Sequence, residues 1–335
     1  MRSTIADVAA RSGVSTATVS RVLSGSVPAR PETRDRVLAA ARELAYRPSG
    51  VARALKRRET RTLGLLVTDL GNPFYPEVVR SVEEAAHERG YGLVLCNAAD
   101  DPQRELAYLD LLIERRVDGI IIASSRATRR HAAVLASSAI PVVLLNSGAA
   151  GAGLPTIDTN HRRGARLAGE HILGLGHRRL GHISGPASNA ASGLRLRGLR
   201  DAMRAAGLAD RDLRLAPGNG HVDGGAAAAD LVRDGTTAIA CYNDLTAIGA
   251  LRTLRMAGHR VPEEVSVIGF DDIEMAAWTD PPLTTVRQPI GDMGRLSVSW
   301  LADALTQDEP VLEPRIEHLA PSLIVRQSTA TAREA

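Results

Sequence analysis

The sequence predicts a small all-α helix-turn-helix head followed by a two-lobed α/β body. Three short helical segments surround a glycine-containing turn within the first 46 residues. From residue 61 onward, apolar runs of strand length alternate with amphipathic helical segments, as in doubly wound parallel sheets. The 335 residues are too many for one ordinary core, and the roughly 270 that follow the head are enough for two lobes.

The first helix is predicted to begin after Thr4, a residue type that favours the N-cap position. Asp7 lies in the first turn, where the helix dipole stabilises a carboxylate. Gly13 then breaks the pattern and supplies the backbone freedom that a tight turn needs. The apolar face of this helix consists of Ile5, Val8 and Ala9.

Two further helices complete the predicted head. Ser15 is placed to cap a second helix over residues 16–23. Pro31 fits the first position of a third helix that continues over residues 32–44. The residues expected to face inward are Val19, Val22, Leu23, Val37, Leu38, Ala41 and Leu44. Two short helices joined by a glycine-containing turn form a helix-turn-helix unit.

The charge of the chain is unevenly distributed. Residues 1–60 contain 12 Lys and Arg against 5 Asp and Glu, a net charge of +7. The remaining 275 residues contain 29 Lys and Arg against 33 Asp and Glu, a net charge of −4. A basic head on a mildly acidic body indicates that the head meets a polyanion, although charge alone leaves a solvated basic face as an alternative.

The second helix of a helix-turn-helix enters the major groove of DNA, where its first residues meet base edges. Its predicted outward face carries Thr16, Ala17, Ser20 and Arg21. An arginine binds guanine through two hydrogen bonds, a threonine bonds several bases, and an alanine methyl packs on thymine. Thr4, Ser15 and Thr18 are expected to hold phosphates, which fixes register without reading sequence.

The body is predicted from seven apolar runs and four amphipathic segments. The runs span residues 63–67, 92–95, 119–122, 142–145, 180–183, 238–241 and 265–268. The amphipathic segments span residues 77–89, 103–115, 162–173 and 244–257. Ligands of such folds bind at the carboxyl ends of the strands, where the loops converge.

These motifs resemble the LacI-type transcriptional regulators along almost the whole chain. In the head, the resemblance rests on residues 4–9 (TIADVA), 13–15 (GVS), 18–23 (TVSRVL), 31–34 (PETR) and 46–48 (YRP). In the body, it rests on residues 69–75 (DLGNPFY), 175–179 (LGHRR), 243–244 (ND), 269–272 (GFDD) and 282–286 (PLTTV). It implies a periplasmic-binding-protein-like (type I) effector domain, in which the chain crosses between the lobes three times.

The resemblance also gives the expected domain boundaries. Residues 1–46 are the helix-turn-helix domain, 47–60 the hinge helix and linker, and 61–335 the effector-binding and dimerisation domain. Lobe 1 is expected to comprise about 61–158 and 288–317, and lobe 2 about 159–287 and 318–335. One departure from the family is Arg30, a poor cap where many members have Ser or Thr before the proline.

The hinge is expected to act in the minor groove of operator DNA. The hinge helix is predicted over residues 51–55 (VARAL), and a helix this short is marginal in water. The resemblance implies that it forms on DNA together with the hinge of a dimer partner. Leu55 matches the leucine that opens the central base step, and packing under the body is the alternative. The hinge residues expected to contact DNA are Val51, Ala52, Arg53, Leu55 and Lys56.

The body residues expected to bind an effector follow predicted strands or begin helices. Arg195 matches the family arginine that grips a hydroxyl or carboxylate, and Asp271 suits sugar hydroxyls. Helix capping or turn chemistry is the alternative for Asn243 and Asp271, and a surface position is the alternative for Arg195. A place in the core is the alternative for Phe74 and Tyr75. The expected set is Phe74, Tyr75, Arg195, Asn243, Asp271 and Gln288.

A sugar or related metabolite is the favoured effector, and a nucleoside-type corepressor is the alternative. Some family members place a stacking aromatic in the loop that here reads 217–221 (PGNGH). Glycine stands at that position in this chain, beside His221, so a purine-like effector loses a stacking partner.

Other chemistry is not indicated by the sequence. Two cysteines cannot form a four-thiolate zinc site, and residues 148–153 lack the order of a dinucleotide fingerprint. We expect no cofactor, no metal and no enzymatic activity. With no secretory segment after Met1 and no membrane-length apolar run, the expected location is the cytoplasm.

The predicted function is a sequence-specific regulator, a repressor, working as a homodimer on a near-palindromic operator. Its two heads would bind the half-sites, and an effector held between the lobes would change its operator affinity. A ligand sensor related to solute-binding proteins is the alternative, but such a protein would need an export signal and would not carry the head.

Overall fold

The computed structural model describes residues 3–24, 29–46, 59–123, 140–147, 153–307 and 312–333. The chain divides into two compact units, Met1–Thr60 and Arg61–Ala335, which are called the head and the body below. The expected hinge contacts Val51, Ala52, Arg53, Leu55 and Lys56 lie outside the described residues.

The head contains three helices, α1 (Ile5–Ser12), α2 (Thr16–Ser24) and α3 (Pro31–Glu43). The predicted cap of α1 is confirmed, because the backbone N–H of Thr4 donates to Asp7 and that of Asp7 donates to the Thr4 hydroxyl. Gly13 ends α1 in the left-handed conformation, with φ of +66°. Arg30 precedes α3 without a side-chain cap, as predicted.

Each of the three helices contributes one row of apolar residues to the core of the head. Its buried members are Val8, Ala9, Val19, Val37, Ala40 and Ala41. The prediction for Leu38 is wrong, because Leu38 is only half-buried while Ala40 is buried. Helix α3 faces its neighbours through Val37, Ala40, Ala41 and Leu44, which recur at helical spacing, and Leu38 falls to one side of that row.

Lobe 1 of the body is built on a six-stranded sheet with the order β11-β5-β4-β3-β1-β2, parallel throughout. Its strands are β1 (Thr62–Val67), β2 (Gly92–Asn97), β3 (Gly119–Ala123), β4 (Val142–Leu145), β5 (Thr156–Thr159) and β11 (Ile316–Leu319). Its helices are α4 (Phe74–Glu88), α5 (Pro102–Glu114) and α10 (Ile290–Leu305). All residues of β3 and β4 are buried, which is typical of a parallel sheet covered on both faces.

Lobe 2 is built on a four-stranded parallel sheet with the order β7-β6-β8-β9. Its strands are β6 (Leu180–Ile183), β7 (Leu213–Ala216), β8 (Ala238–Cys241) and β9 (Ser266–Ile268). Its helices are α6 (His161–Gly174), α7 (Ala190–Ala205), α8 (Ala228–Arg233) and α9 (Asp244–Met256). A separate antiparallel pair is formed by β10 (Thr285–Arg287) and β12 (Ser322–Ile324).

The chain passes between the lobes three times, after β5, after β10 and after β11. Helix α10 returns to lobe 1 and packs against α4. The predicted fold class is therefore confirmed, with an α-helical head and a two-lobed α/β body. In the described part of the chain, no helix is long and apolar enough to cross a bilayer.

All seven predicted strands are present, with bounds shifted by no more than two residues. Five further strands (β5, β7, β10, β11 and β12) were not predicted. They have three or four residues each, and β5 (TIDT) and β11 (IEHL) carry charged or polar side chains. Such segments form strands because neighbouring strands supply their hydrogen bonds, which local hydrophobicity does not report.

Candidate functional site

Helix α2 presents a polar face on the outside of the head. Thr16, Ala17 and Arg21 are exposed and Ser20 is half-buried, while Val19 on the opposite face is fully buried. The Arg21 Nε atom donates to the Ala17 carbonyl at 3.3 Å, which lays the guanidinium along the helix surface. The four residues predicted to read bases therefore lie on one face of α2, and their contact with DNA stays a prediction.

The three residues expected to hold phosphates are engaged at helix starts. Thr4 caps α1, and its hydroxyl donates to Asp7 at 2.8 Å. The Ser15 hydroxyl accepts from the Thr18 backbone N–H at 3.2 Å and lies 3.0 Å from the Thr18 hydroxyl. These bonds fix the ends of α1 and α2, so both helix N-termini present oriented backbone N–H groups, which favour anions.

The body contains a cleft of about 680 Å³, counting its open mouth. Almost every polar residue in its wall follows a strand of one lobe or begins a helix. The wall consists of Thr68, Asp69, Asn72, Phe74, Tyr75, Asp100, Asn146, His161, Pro186, Asn189, Ala191, Arg195, Asn219, Gly220, His221, Tyr242, Asn243, Asp271 and Gln288. All six residues predicted to bind an effector are in this wall, and their binding role stays a prediction.

Phe74 and Tyr75 begin α4 and form an aromatic corner. Their rings meet edge to face, with centroids 5.3 Å apart. Both side chains are buried and belong to the core cluster of the body as well as to the cleft wall. The positions of Phe74 and Tyr75 therefore agree with both predicted roles, a place in the cleft wall and a place in the core.

Arg195 is buried on the first half of α7, with 5% of its surface exposed. Its Nη1 atom donates to the Tyr242 carbonyl at 2.5 Å, and its Nη2 atom donates to Asp271 Oδ1 at 3.3 Å. The guanidinium carbon lies 3.7 Å from the centre of the Phe270 ring and 4.7 Å from that of Tyr242. This packing holds a planar cation at a defined place in the wall.

Asp271 follows β9 with a φ of +118°, a region that favours glycine. Its Oδ1 atom accepts from Gln288 Nε2 at 2.7 Å as well as from Arg195. Burial raises the pKa of Asp271, and Arg195 and Gln288 only partly oppose that effect. A strained backbone that aims a buried carboxyl into a cleft is typical of a ligand-binding position.

Gln288 connects the two lobes through its side-chain amide. Its Oε1 atom accepts from Asn146 Nδ2 at 2.8 Å and from the Thr159 hydroxyl at 2.6 Å, both at strand ends of lobe 1. Its Nε2 atom donates to Asp271 in lobe 2. Because Asn146 Oδ1 also accepts from the Thr159 backbone N–H at 2.8 Å, the amide and its neighbours form one buried polar network.

Asn243 caps α9, since its Oδ1 atom accepts from the Thr246 N–H at 3.0 Å. Its Nδ2 atom donates to the Gly220 carbonyl at 2.8 Å and so holds the loop after β7. The capping alternative is therefore realised, and Asn243 also stands in the cleft wall. Its neighbour Asp244 points beneath the cleft, accepting from Thr285 and Ile273, and burial raises its pKa well above the usual range.

His161 lines the cleft and was not predicted. It follows β5, it is 4% exposed, and its ring lies 5.8 Å from that of Phe270. Among the described residues, its Nδ1 atom has no hydrogen-bond partner although it is buried. Burial, reinforced by the charge of Arg195, lowers the pKa of His161 well below its usual range, so the ring is neutral. A buried, unpaired nitrogen in a cleft wall is placed to bond a ligand.

Tyr242 was not predicted either. It follows β8 and lies against Arg195 and beside Gly220, whose position for a Cβ is 3.3 Å from the tyrosine ring. Three of the nine aromatic residues of the chain thus line this cleft, namely Phe74, Tyr75 and Tyr242, and a fourth, Phe270, packs on the Arg195 guanidinium. The sequence signal of Tyr242 was weak, because the residue after a strand is revealed as a wall residue only when the strands are placed side by side.

In the part of the chain that the structure describes, no three His, Cys, Asp or Glu side chains are grouped as metal ligands. Cys96 and Cys241 are free and buried. The cleft is therefore a set of hydrogen-bonding groups and aromatic faces around one fixed guanidinium.

Two stretches of the chain match known families. Residues 4–49 match the family described as bacterial regulatory proteins, lacI family. Residues 170–329 match the family described as periplasmic binding protein-like domain.

Individual relatives are similar over nearly the whole chain. The HTH-type transcriptional repressor PurR of Photobacterium profundum is 36% identical over 329 residues, covering 97% of this chain and 98% of that protein. The ribose operon repressor of Escherichia coli is 36% identical over 332 residues, covering 97% and 99%. The structure of the Lac repressor dimer bound to operator and the anti-inducer ONPF is 28% identical, with a TM-score of 0.88 over 98% of this chain and 100% of that chain.

Proposed function

Since the chain belongs to the lacI family of bacterial regulatory proteins, we propose that it is a transcriptional repressor that binds operator DNA and responds to a sugar. The head reads the operator and the cleft of the body holds the effector. Acting on DNA places the protein in the cytoplasm. The effector is bound and released without chemical change.

The DNA contact is proposed for the exposed face of α2. Arg21 reads a guanine, Thr16 and Ser20 bond base edges, and the Ala17 methyl packs on thymine. The similarity to a Lac repressor dimer bound to operator supports this arrangement. The oriented helix starts at Thr4 and Ser15 then meet phosphates, together with Thr18.

The protein is proposed to act as a homodimer on a near-palindromic operator, as a dimeric Lac repressor does. Large apolar side chains of the body are exposed to solvent, including Met256 at 78% and Trp278 at 70% exposure. Val94 and Leu95 are exposed on β2, which is an edge strand of lobe 1. A dimer contact through both lobes would cover these groups and pair the hinge segments, residues 47–60, in the minor groove.

The proposed effector is a sugar, and the composition of the cleft wall carries this assignment. Nine of its nineteen residues have carboxylate or carboxamide side chains, contributed by both lobes. Sugar hydroxyls donate and accept, so they match such groups better than an aromatic base does. The buried Arg195–Asp271 pair offers a donor and an acceptor side by side for two adjacent hydroxyls.

A purine-type corepressor is the second candidate, because a PurR protein is as similar as the ribose operon repressor. The aromatic faces of Phe74 and Tyr242 favour it, since both are in the cleft wall. Gly220 opposes it, because this position in the loop after β7 offers no ring. The two candidates are separated by direct binding measurements.

The effector is proposed to change operator affinity by fixing the angle between the lobes. The polar network of Asn146, Thr159, Gln288 and Asp271 crosses from one lobe to the other at the cleft. A ligand bonded to both ends of that network stabilises one lobe angle over another, which is a differential affinity for two states. The lobe angle then sets the separation of the two hinge segments in the dimer.

The test is operator selection from random duplexes, followed by titration with D-ribose, other pentoses and hexoses, and purine bases. We expect one palindromic consensus, saturable binding of one sugar by calorimetry, and a change in operator affinity when that sugar is added. Arg195→Ala should abolish sugar binding, whereas the control Arg197→Ala, on the exposed face of the same helix, should not. Binding without sequence preference at any salt concentration would refute the regulator, and binding of purines alone would refute the sugar.

A further inference from the structure

A small cavity lies behind the effector-binding arginine, inside lobe 2. It is lined by α6, α7 and the sheet, and its wall is apolar except for His182 on β6, Arg195 on α7 and the Cys241 thiol. The volume open to the centre of a water molecule is about 20 Å³. One buried water needs roughly 10–15 Å³ by this measure. The cavity therefore has the size of one water molecule.

Two polar atoms of its wall residues have no partner. Arg195 Nε and His182 Nε2 are both buried, and neither has a hydrogen-bond partner among the residues that the structure describes. The other two nitrogens of the same guanidinium are bonded, to the Tyr242 carbonyl and to Asp271. Leaving a buried polar group unbonded costs about 1–3 kcal/mol, so native proteins rarely leave two at one place.

The polarity of these two atoms is complementary. His182 Nδ1 lies 2.8 Å from the Ala240 carbonyl, and a carbonyl can only accept, so Nδ1 carries the proton. Burial lowers the pKa of His182 to about 4, and the ring is neutral at pH 7. Its Nε2 atom is then an acceptor, whereas Arg195 Nε–H is a donor only. Two residues of one cavity wall thus carry a donor and an acceptor that do not bond each other.

We infer that one buried water accepts from Arg195 Nε–H and donates to His182 Nε2, which makes His182 a positioning residue for the effector-binding guanidinium. Apolar cavities stay dry, but a water with two polar partners in a cavity of this size is a stable part of a structure. With this bond, all three nitrogens of Arg195 are held, so the plane of the guanidinium is fixed before the effector arrives. The role in effector binding rests on the proposed function, and the water bridge does not.

The bridge is tested on the ligand-free full-length protein, labelled with ¹⁵N in histidine and arginine. We expect His182 in the Nδ1–H tautomer, with Nε2 unprotonated, and a slowly exchanging Arg195 Nε–H that shows a cross-peak to a long-lived water. His182→Ala and Arg195→Lys assign the two signals. An Nε2–H tautomer, or an Arg195 Nε–H without a water contact, would overturn the bridge.

The positioning role is tested by binding of D-ribose to three variants. His182→Leu removes the acceptor and should weaken binding about tenfold. His182→Gln keeps a side-chain acceptor at a similar reach and should restore most of the affinity. Ile183→Val, a buried change on the same strand, controls for lost packing and should bind as the wild type does. Unchanged affinity in His182→Leu, or equal weakness in His182→Gln, contradicts the role. If the wild type does not bind D-ribose, the three variants are compared with the pentose or hexose that it does bind. If it binds no sugar, the effector class fails, and the NMR result alone decides on the bridge.

Discussion

Gln288 and Asp271 are joined by a hydrogen bond of 2.7 Å from Nε2 to Oδ1, at the point where the chain leaves lobe 2 for lobe 1. Gln288 is also bonded to Asn146 and Thr159, so one amide connects strand ends of both lobes. Buried polar contacts in the wall of the cleft are therefore also contacts between its two halves. Through this amide, the wall of the cleft is coupled to the angle between the lobes.

Gln288→Ala should lower both stability and effector affinity. The substitution removes one hydrogen bond each from the buried Asn146 amide, Thr159 hydroxyl and Asp271 carboxyl. Each buried group left without a partner lowers the free energy of unfolding by roughly 1–3 kcal/mol. Urea unfolding and calorimetric titration measure the two effects. Gln327→Ala, the same change at an exposed position, is the control. Loss of stability with full effector affinity would show that the network does not contribute to effector binding.

His161→Leu should have effects of opposite sign on stability and binding. Removing a buried, unpaired nitrogen should leave the free energy of unfolding unchanged or raise it by about 1 kcal/mol. Effector affinity should fall about tenfold, because that nitrogen is expected to bond the ligand. The control is His171→Leu, since His171 bonds Thr329 at 2.9 Å and should lose stability alone. A less stable His161→Leu variant with unchanged affinity would assign His161 to the core.

Arg21→Ala should weaken operator binding by about 1–3 kcal/mol and relax the preference at one base pair of each half-site. The reason is that a base contact carries sequence information, whereas a phosphate contact does not. Binding is measured at one fixed salt concentration against the consensus and single-base variants. Arg42→Ala, at an exposed position of α3, is the matched control and should leave base preference intact. An even loss across all sequences would reassign Arg21 to a phosphate.

Leu55→Ala should weaken operator binding about tenfold while effector binding stays unchanged. This prediction derives from the resemblance of the hinge sequence, since residue 55 lies outside the described residues. A side chain that opens a base step also kinks the duplex, so circular-permutation gel shifts should show a smaller bend. Full affinity and full bending would place Leu55 elsewhere than in the minor groove.

Body stability should fall as the pH is lowered from about 6.5 toward 4, in part because of His182. Its pKa is about 4 in the folded protein against 6.5 as the ordinary value, so only the unfolded chain gains a proton in this window. The contribution of His182 to the free energy of unfolding is complete above pH 6.5, and roughly 3 kcal/mol of that free energy is lost by pH 4. His182→Leu should show a shallower pH dependence in urea unfolding than wild type. His87→Leu, at an exposed position of α4, is the control. Parallel curves for wild type and His182→Leu would contradict the assignment.

The parts of the fold that local sequence reveals are those stabilised locally. Thr4, Asp7 and Gly13 mark the ends of α1, because caps and left-handed glycines act within a few residues. Strand β3 is apolar along its whole length, since both its faces are covered. Strand β5 escaped prediction, because a polar four-residue segment becomes a strand only between β4 and β11, and β11 lies more than 150 residues away in the chain.

The sequence by itself determined the helix-turn-helix head, the alternating strands and helices of the body, and the strand-end positions that line the cleft. The tertiary structure alone decided which strand ends meet. Asn146 and Gln288 are 142 residues apart and share a hydrogen bond of 2.8 Å. It also showed that His161 and His182 each carry a buried nitrogen with no hydrogen-bond partner among the described residues. The physical reason is that periodicity records which face of an element is buried, whereas contacts between distant residues depend on how the chain crosses between its lobes.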